Sequence, residues 1–279
     1  MKKNPIGILD EGYQGINVFQ GLSKKYKNED FIYVNDIINS QYEGKELEAI
    51  NKCVKEKVDF LLLLGVKSIV VVSSAIVEYC SEFLESLNIP IIKIDDAVIK
   101  YISQEFEQKN IALVARESII KANIYQKFLK YNHLYAIFSD ELEKIVLDRK
   151  VKTALSFSKT REVCKYILNK DVDIFMMVDS YIENLYTEIN EYVKANTVSN
   201  LAEIIDKEII SKEVYEYQKG SGKRYVYSDV SEKEFKNATY WIDMKYKYQN
   251  IEIKRNIILK ELEEKKRKEE LKNKWYGFI

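Results

Sequence analysis

The sequence predicts an α/β fold with two pseudo-symmetric lobes, each a mainly parallel sheet flanked by helices, followed by a C-terminal helical extension. Three observations predict it. Short apolar runs alternate with amphipathic stretches of helical period through the first two thirds of the 279 residues, the pattern starts again at residue 110, and residues 244–279 show no strand pattern. Buried apolar runs separated by helices are typical of parallel sheets covered on both faces.

The first lobe opens with a strand–helix alternation. The apolar runs predict strands at 6–9, 31–34, 66–72 and 89–94, and the three-and-four spacing of apolar residues predicts helices at 46–64 and 78–87. Gly65 ends the first of these helices, because glycine is the residue that most readily adopts the left-handed conformation after a helix.

The second lobe repeats this order. We predict strands at 110–114, 134–138 and 173–178, and helices at 118–130 and 158–170. Small polar residues follow the strands that end near residues 72 and 178. In open α/β sheets, ligands bind beyond the carboxyl ends of the strands, so we expect a site where these ends of the two lobes face each other.

Composition excludes several classes of function. Lys+Arg and Asp+Glu are both 44, so the net charge is zero and nucleic-acid binding is not expected. No apolar run approaches the roughly 20 residues of a membrane span, and no signal-peptide pattern precedes the first strand, so we expect a cytoplasmic protein with no membrane association. Cys53, Cys80, Cys164 and the single His133 lie too far apart to indicate a disulfide framework or a metal site.

The segments at the predicted strand ends resemble those of a known family. They are Pro5 to Gly12, Gln41-Tyr42-Glu43, Gly65 to Ala75, Ile111 to Leu129, Asp179-Ser180-Tyr181 and Arg224 to Asp229. In this order and framing, residues 5–243 resemble glutamate racemases of the aspartate/glutamate racemase superfamily. The resemblance implies a first lobe of residues 1–95 and 205–243, a second lobe of 96–204 and a helical tail of 244–279.

The resemblance also implies a chemistry. Members of the family racemise glutamate without a cofactor, using one cysteine on each face of the substrate, and here the positions of the two cysteines are Ser73 and Asp179. The positions that match substrate-binding residues are Asp10, Glu11, Tyr42, Ser74 and Ser180. Neither a cofactor nor a metal is expected.

Replacement of both thiols argues against racemisation. A thiol has a pKa of about 8.5, whereas an alcohol is about as weak an acid as water, near 15.7. This gap of roughly 7 units corresponds to about 10 kcal/mol, so Ser73 is a poor substitute for a catalytic thiol. Asp179 is able to act as a general base if burial raises its pKa. The simpler interpretation is that Ser73, Ser74 and Asp179 cap the helices that follow them.

Three functions follow from these observations. The first is a racemase-fold pseudoenzyme that keeps a binding or interaction role, with a small amino acid or diacid as ligand. The second is an enzyme of isomerase or lyase type that uses a single acid/base, Asp179 or Asp10, in the same cleft. The third is a true glutamate racemase that supplies D-glutamate for peptidoglycan. The apolar positions of the C-terminal helix, such as Ile251 and Ile258, favour packing on the body, on a second subunit or on a protein partner.

Overall fold

The computed structural model describes residues 4–215 and 220–276 as an α/β fold with two parallel sheets. This confirms the predicted fold class. The strands are β1 Ile6–Leu9, β2 Phe31–Val34, β3 Ser68–Val71, β4 Ile91–Lys93, β5 Asn110–Ala115, β6 His133–Phe138, β7 Val172–Met177, β8 Ala195–Val198, β9 Arg224–Ser228 and β10 Lys247–Asn250.

The helices lie between these strands in the chain. They are α1 Ile16–Lys25, α2 Leu47–Leu63, α3 Ser74–Glu85, α4 Ile94–Glu105, α5 Glu117–Lys121, α6 Ile124–Phe128, α7 Asp140–Leu147, α8 Ala154–Val163, α9 Tyr186–Tyr192, α10 Leu201–Ser211, α11 Glu232–Ala238 and α12 Ile251–Tyr276. Single 3-10 turns cover Lys165–Ile167 and Ser180–Leu185.

The first sheet has six strands in the order β10-β9-β2-β1-β3-β4, all parallel. Every residue of β1, β2 and β3 is buried, because helices cover both faces of these strands. β9 pairs with β2 in this sheet, so the chain returns to the first lobe after the second is built.

The second sheet has four parallel strands in the order β6-β5-β7-β8. One apolar core runs through both lobes and joins side chains of the two sheets, for example Ile8 in β1 and Leu113 in β5. Two further cores cover the outer faces of the sheets. The division of the chain at residues 96 and 205 stays a prediction.

The predicted beginning of the C-terminal helical tail, at residue 244, is wrong. Residues 247–250 form β10, which pairs with β9, and the helix begins at Ile251 rather than at residue 244. An edge strand is paired on one side only, so Lys-Tyr-Gln-Asn can form it without an apolar pattern. Asn250 carried the missed signal: its side-chain oxygen accepts hydrogen bonds from the backbone N–H groups of Glu252 and Ile253 at 3.0 and 3.3 Å and thereby caps α12.

Other helix boundaries also differ from the prediction. The helix expected at 118–130 is broken into α5 and α6 at Asn123, whose φ of 57° lies in the left-handed region that asparagine tolerates. The helix expected at 158–170 begins at Ala154, where Thr153 and Ser156 form a reciprocal capping box, and it ends before a 3-10 turn. The predicted end at residue 279 lies outside the described residues.

The C-terminal helix has a packed half and an exposed half. Ile251 is buried and Ile258 packs on the outer core of the first sheet, whereas every residue from 259 to 269 is exposed. We expect a chain truncated after Asp243 to lose β10 and the burial of Ile251, and its melting temperature to fall by about 5 °C or more. Thermal unfolding followed by circular dichroism measures this.

A chain truncated after Glu263 is the matched control. It keeps β10 and Ile258 and removes only exposed turns, so its melting temperature should stay within about 1 °C of that of the full chain. Equal losses in the two truncated chains would contradict the packing of this helix on the body.

Candidate functional site

Four strand ends from the two sheets meet across a cleft. Glu11 follows β1, Ser73 follows β3, Arg116 follows β5 and Asp179 follows β7, and all four line one small cavity. The remaining lining residues are Gln14, Glu43, Ser74, Ala75, Glu78, Tyr79, Ser118, Ile119 and Ala122. The expected position of the site, at facing carboxyl ends of strands, therefore agrees with the cavity.

The cavity is small and acidic. Its volume is about 30 Å³. An engineered cavity that admits benzene has a volume of about 150 Å³, so the closed cleft has room for water and not for an amino acid. Four carboxylates, those of Glu11, Glu43, Glu78 and Asp179, line it with one guanidinium, that of Arg116.

Asp10 fixes the turn after β1 and does not line the cavity. Its carboxylate accepts hydrogen bonds from the backbone N–H groups of Gly12 and Gly15, at 3.2 and 2.8 Å, and from the hydroxyl of Tyr33 at 2.6 Å. Burial raises the pKa of Asp10 to about 6, although the hydrogen bonds from Tyr33 and the turn oppose that rise. The described hydrogen-bond partners of the Asp10 side chain are the turn residues Gly12 and Gly15 and Tyr33 of β2, so Asp10 stabilises this turn.

Glu11 has three partners that hold its carboxylate in the cleft. One oxygen, Oε1, accepts the backbone N–H of Tyr42 at 2.6 Å. The other, Oε2, accepts the hydroxyl of Ser73 at 3.3 Å and lies 3.7 Å from the guanidinium of Arg116. The oxygens of Glu11 are therefore occupied by protein groups at a position that the family resemblance assigns to substrate.

Arg116 joins the two lobes across the cleft. Its guanidinium lies 3.7 Å from Glu11 of the first lobe and donates to Glu143 of the second at 3.1 Å. Burial disfavours the charged form, but the phenol of Tyr181 and the carboxylates of Glu143, Asp179 and Glu11 outweigh it and raise the pKa of Arg116. The buried Nε atom has no hydrogen-bond partner among the described residues.

Asp179 is a buried carboxyl beside this guanidinium. It stands at the N-cap position of the 3-10 turn Ser180–Leu185 but makes no side-chain capping bond, so its predicted capping role is wrong. Its Oδ2 instead accepts the hydroxyl of Ser139 at 3.1 Å. Burial raises the pKa of Asp179 to about 7, and the charge of Arg116 opposes the rise without cancelling it.

The two serines after β3 have different roles. Ser73 caps α3, as predicted, since its hydroxyl oxygen accepts the backbone N–H of Ile76 at 3.3 Å. Ser74 does not cap the helix. Its hydroxyl donates to Asp95 at 2.7 Å, and the same carboxylate oxygen accepts the hydroxyl of Tyr125 from the second lobe.

Tyr42 and Ser180 are tied to the protein itself. The hydroxyl of Tyr42 donates to Asp36 at 2.7 Å, and its ring is buried. Ser180 donates to the carbonyl of Gln14 through its N–H and its hydroxyl, at 2.8 and 2.6 Å, and its own oxygens accept from Asn17. Ser180 thus links the lobes next to the cleft, while Tyr42 supports the turn that holds Glu11.

Two charged residues of the cleft, Arg116 and Glu78, were not among the site residues predicted from the sequence. Arg116 stands after β5 as Glu11 stands after β1, so its place at a strand end was the available signal. Glu78 is exposed at the rim beside Tyr79 and no local pattern marked it, whereas Glu43, also exposed there, lies in the segment Gln41-Tyr42-Glu43 that carries the family resemblance. Gln14 is buried with an unpartnered Oε1 atom at the cavity.

The cysteines and the histidine stand away from this chemistry. Cys80 is buried within α3, where burial raises the pKa of its thiol to about 11. Cys164 is buried after α8, and His133 is an exposed residue at the start of β6 rather than at a helix end. Across residues 4–215 and 220–276, no cluster of three or more Asp, Glu, His or Cys residues is suited to a metal. No helix in that part of the chain is long and apolar enough to cross a membrane.

Comparison with known proteins supports the same family as the sequence motifs. No protein-family model matches the chain. A glutamate racemase from Clostridium botulinum is 35% identical over 91 residues, which is 32% of this chain and 35% of that protein. The match thus spans about a third of the length of such curated relatives.

The solved structures that the chain resembles extend this likeness to the whole fold. A glutamate racemase from Bacillus anthracis superposes with a TM-score of 0.78 at 20% identity, covering 90% of this chain and 98% of that one. A glutamate racemase from Francisella tularensis, solved with D-glutamate, gives a TM-score of 0.74 at 16% identity and covers 89% and 97%.

The protein therefore has the two-lobed α/β fold of the solved glutamate racemases that it resembles. The partial sequence match to glutamate racemases and the likeness in fold confirm the resemblance predicted from the sequence.

The raised pKa of Asp179 predicts how the protein's stability varies with pH. The folded-state pKa is about 7 and the usual value for an aspartate is 3.8, so the folded state binds more protons between these values. The free energy of unfolding therefore falls as pH rises through this window and is level above it. We expect Asp179→Asn to remove this loss and to be more stable than the wild type at pH 8, by up to about 4 kcal/mol.

Chemical denaturation of both proteins from pH 4 to pH 8 measures the difference. The advantage of the variant should be small near pH 4 and should grow to its full value near pH 7. Asp59→Asn, at an exposed position on α2, is the control and should follow the wild type at every pH. A constant difference between Asp179→Asn and the wild type across the range would contradict the raised pKa.

Proposed function

We propose that this chain is a racemase-fold protein without amino-acid racemase activity that keeps a binding or interaction role. The observation that carries the proposal is the ion pair between Arg116 and Glu11 across a cavity of about 30 Å³, with Arg116 also bonded to Glu143 of its own lobe. An amino acid needs the lobes to part and needs a free partner for its carboxylate. Among the described residues, the only guanidinium that lines the cavity already has two carboxylates of the protein beside it.

The groups at the positions of the family thiols support the absence of racemisation. The hydroxyl of Ser73 donates to Glu11 and accepts from the backbone, and no histidine lines the cavity to activate it. Asp179 is buried beside Arg116. Two-base racemisation needs a base on each face of the α-carbon, and an alcohol with a pKa near 15.7 does not supply one.

The buried acid Asp179 favours a second candidate function, single-base chemistry of isomerase or lyase type. A general base works best when its pKa lies near the working pH, and that of Asp179 is raised to about 7. In this alternative Asp179 removes a proton from a bound ligand while Arg116 holds the negative charge that develops. Asp10, the other acid considered, is engaged by the turn after β1 and does not line the cavity.

The third candidate, a true glutamate racemase that makes D-glutamate for peptidoglycan, rests on the relatives alone. Glu11 in the cleft, together with Glu43 and Glu78 at its rim, opposes a ligand with two carboxylates, because like charges repel. We therefore expect a small amino acid to bind better than a diacid. A cytoplasmic location and a protein partner or second subunit at α12 remain predictions of the sequence.

The activity assay separates the three candidates. We expect the purified chain to give neither racemisation of L-glutamate or L-aspartate nor exchange of the α-proton in D₂O, because neither Ser73 nor the closed cleft supports proton abstraction. Proton NMR of the α-position detects exchange, and chiral chromatography detects racemisation. Exchange without racemisation, lost in Asp179→Asn, is the result expected of the single-base enzyme.

Restoring the thiols tests the reason for inactivity. We expect Ser73→Cys with Asp179→Cys to remain inactive, because Arg116 and Glu11 still close the cleft, and groups that act as one unit do not contribute additively. The matched variant for comparison carries Ser73→Cys, Asp179→Cys and also Arg116→Thr, which removes the guanidinium that closes the cleft. Racemisation by the unmodified chain would overturn the proposed function.

A further inference from the structure

The cavity between the strand ends carries more negative than positive charge. Four carboxylates line it, and the guanidinium of Arg116 is the only cationic group among its described lining residues. That guanidinium already has the carboxylates of Glu11 and Glu143 beside it, at 3.7 and 3.1 Å. Lys121 lies within electrostatic reach of Glu43, but it pairs with a glutamate of its own helix at 2.8 Å and does not line the cavity. A ligand therefore enters a negative site, which attracts cations and repels carboxylates.

The size of the cavity admits an ammonium group while the lobes stay closed. Its volume is about 30 Å³, and one water needs roughly 10–15 Å³ of such volume. An ammonium group is close to a water molecule in size, so it fits the closed cavity. The α-carboxylate of an amino acid adds bulk and a negative charge that the acidic lining opposes. The closed cleft therefore favours an amine that carries no carboxylate beside its nitrogen.

Oxygen acceptors from both lobes line this space. Gln14 is 4% exposed, and its side-chain oxygen accepts no hydrogen bond from the described residues. A buried polar atom without a partner is costly, so a ligand that donates to Oε1 of Gln14 removes that cost. Glu11 and Asp179 add two buried carboxylates, one from each lobe. An ammonium group has three donors and no acceptor, and these three side chains offer it acceptors only through their oxygens.

The rim of the cavity adds an aromatic ring and two more carboxylates. The ring of Tyr79 is half-buried, and Glu43 and Glu78 are exposed beside it. Burial, and after it the charges of Glu43 and Glu78, raises the pKa of Tyr79, so both carboxylates act on the space around this ring. A cation is attracted by the face of a tyrosine ring and by carboxylates next to it. The rim thus favours a second positive charge on the same ligand.

We propose that the cleft binds an aliphatic diamine, with one ammonium group in the closed cavity and the other at the rim beside Glu43 and Glu78. The apolar lining residues Ala75, Ile119 and Ala122 suit the methylene chain between the two charges. This inference rests on the proposed function, since it names the ligand class of the same cleft. It concerns binding alone and includes no catalytic step.

Isothermal titration calorimetry of the full chain tests the inference with four probes that share a four-carbon chain and differ at its ends. They are 1,4-diaminobutane, butylamine, 4-aminobutanoate and succinate. We expect the dissociation constant of 1,4-diaminobutane to be at least about threefold lower than that of butylamine, because a partly exposed ion pair contributes about that factor. The affinity for 4-aminobutanoate should be lower than for butylamine, and succinate should not bind. Added salt should weaken the binding of the diamine most.

A pair of rim substitutions locates the second ammonium group. Glu43→Gln with Glu78→Gln should raise the dissociation constant of 1,4-diaminobutane to about that of butylamine, and should change that of butylamine by less than about twofold. Both side chains are exposed, so the fold should tolerate the change, which circular dichroism verifies. The matched control is Asp59→Asn with Glu107→Gln, which removes two charges at exposed positions outside the cavity and should leave both amines unaffected.

Gln14→Met tests the inner position. Methionine is similar in length to glutamine and lacks the unpartnered oxygen, so the melting temperature should not fall. Both 1,4-diaminobutane and butylamine should bind about tenfold more weakly, because the inner ammonium group loses an acceptor. A loss for both amines here, against a loss for the diamine alone in the rim variant, is the pattern expected of two separate ammonium positions.

Three results would contradict the diamine inference. They are no heat of binding with either amine at millimolar concentration, tighter binding of succinate or L-glutamate than of 1,4-diaminobutane, and binding of 1,4-diaminobutane that neither the rim variant nor Gln14→Met weakens. None of them restores racemisation, so the absence of racemase activity stands or falls separately in the activity assay. Racemisation of L-glutamate by the chain removes the proposed function and this inference together.

Discussion

The ion pair of Arg116 with Glu11 across the cleft is the interaction on which the arrangement of this site depends. A buried guanidinium is costly without carboxylates beside it, and Glu11 from the other lobe and Glu143 from its own supply them. The contact with Glu11 joins strand ends of the two sheets, and little volume remains between them. Side chains at the strand ends that could contact a ligand therefore contact each other here.

This closure accounts for the arrangement of the neighbouring acids. Asp179 keeps a raised pKa because burial disfavours its charge more than Arg116 favours it. Asp95, with a pKa raised by burial to about 6, accepts hydroxyls from Ser74 of one lobe and Tyr125 of the other. Ser180 adds bonds to Gln14 and Asn17. Polar groups that line the lobes are thus largely satisfied by each other, so the cleft is stabilised in the closed state.

Local patterns predicted the sheet-forming parts of the chain well and the edges and caps poorly. β1 and β2 were predictable because strands buried on both faces must be continuous apolar runs. β8 and β10 were missed, because a half-exposed edge strand needs no such run. The break at Asn123 depends on one left-handed residue, which the apolar spacing of α5 and α6 does not record.

The sequence by itself determined the fold class, the position of the cleft at the strand ends, and the replacement of both family thiols by Ser73 and Asp179, because these follow from residue type and order. Only the tertiary structure decided what the strand-end residues do. Whether Glu11 meets a ligand or Arg116, and whether Asp179 caps a turn or accepts the hydroxyl of Ser139, depends on residues at least 40 positions apart being brought within a few ångströms. Local sequence does not encode that distance.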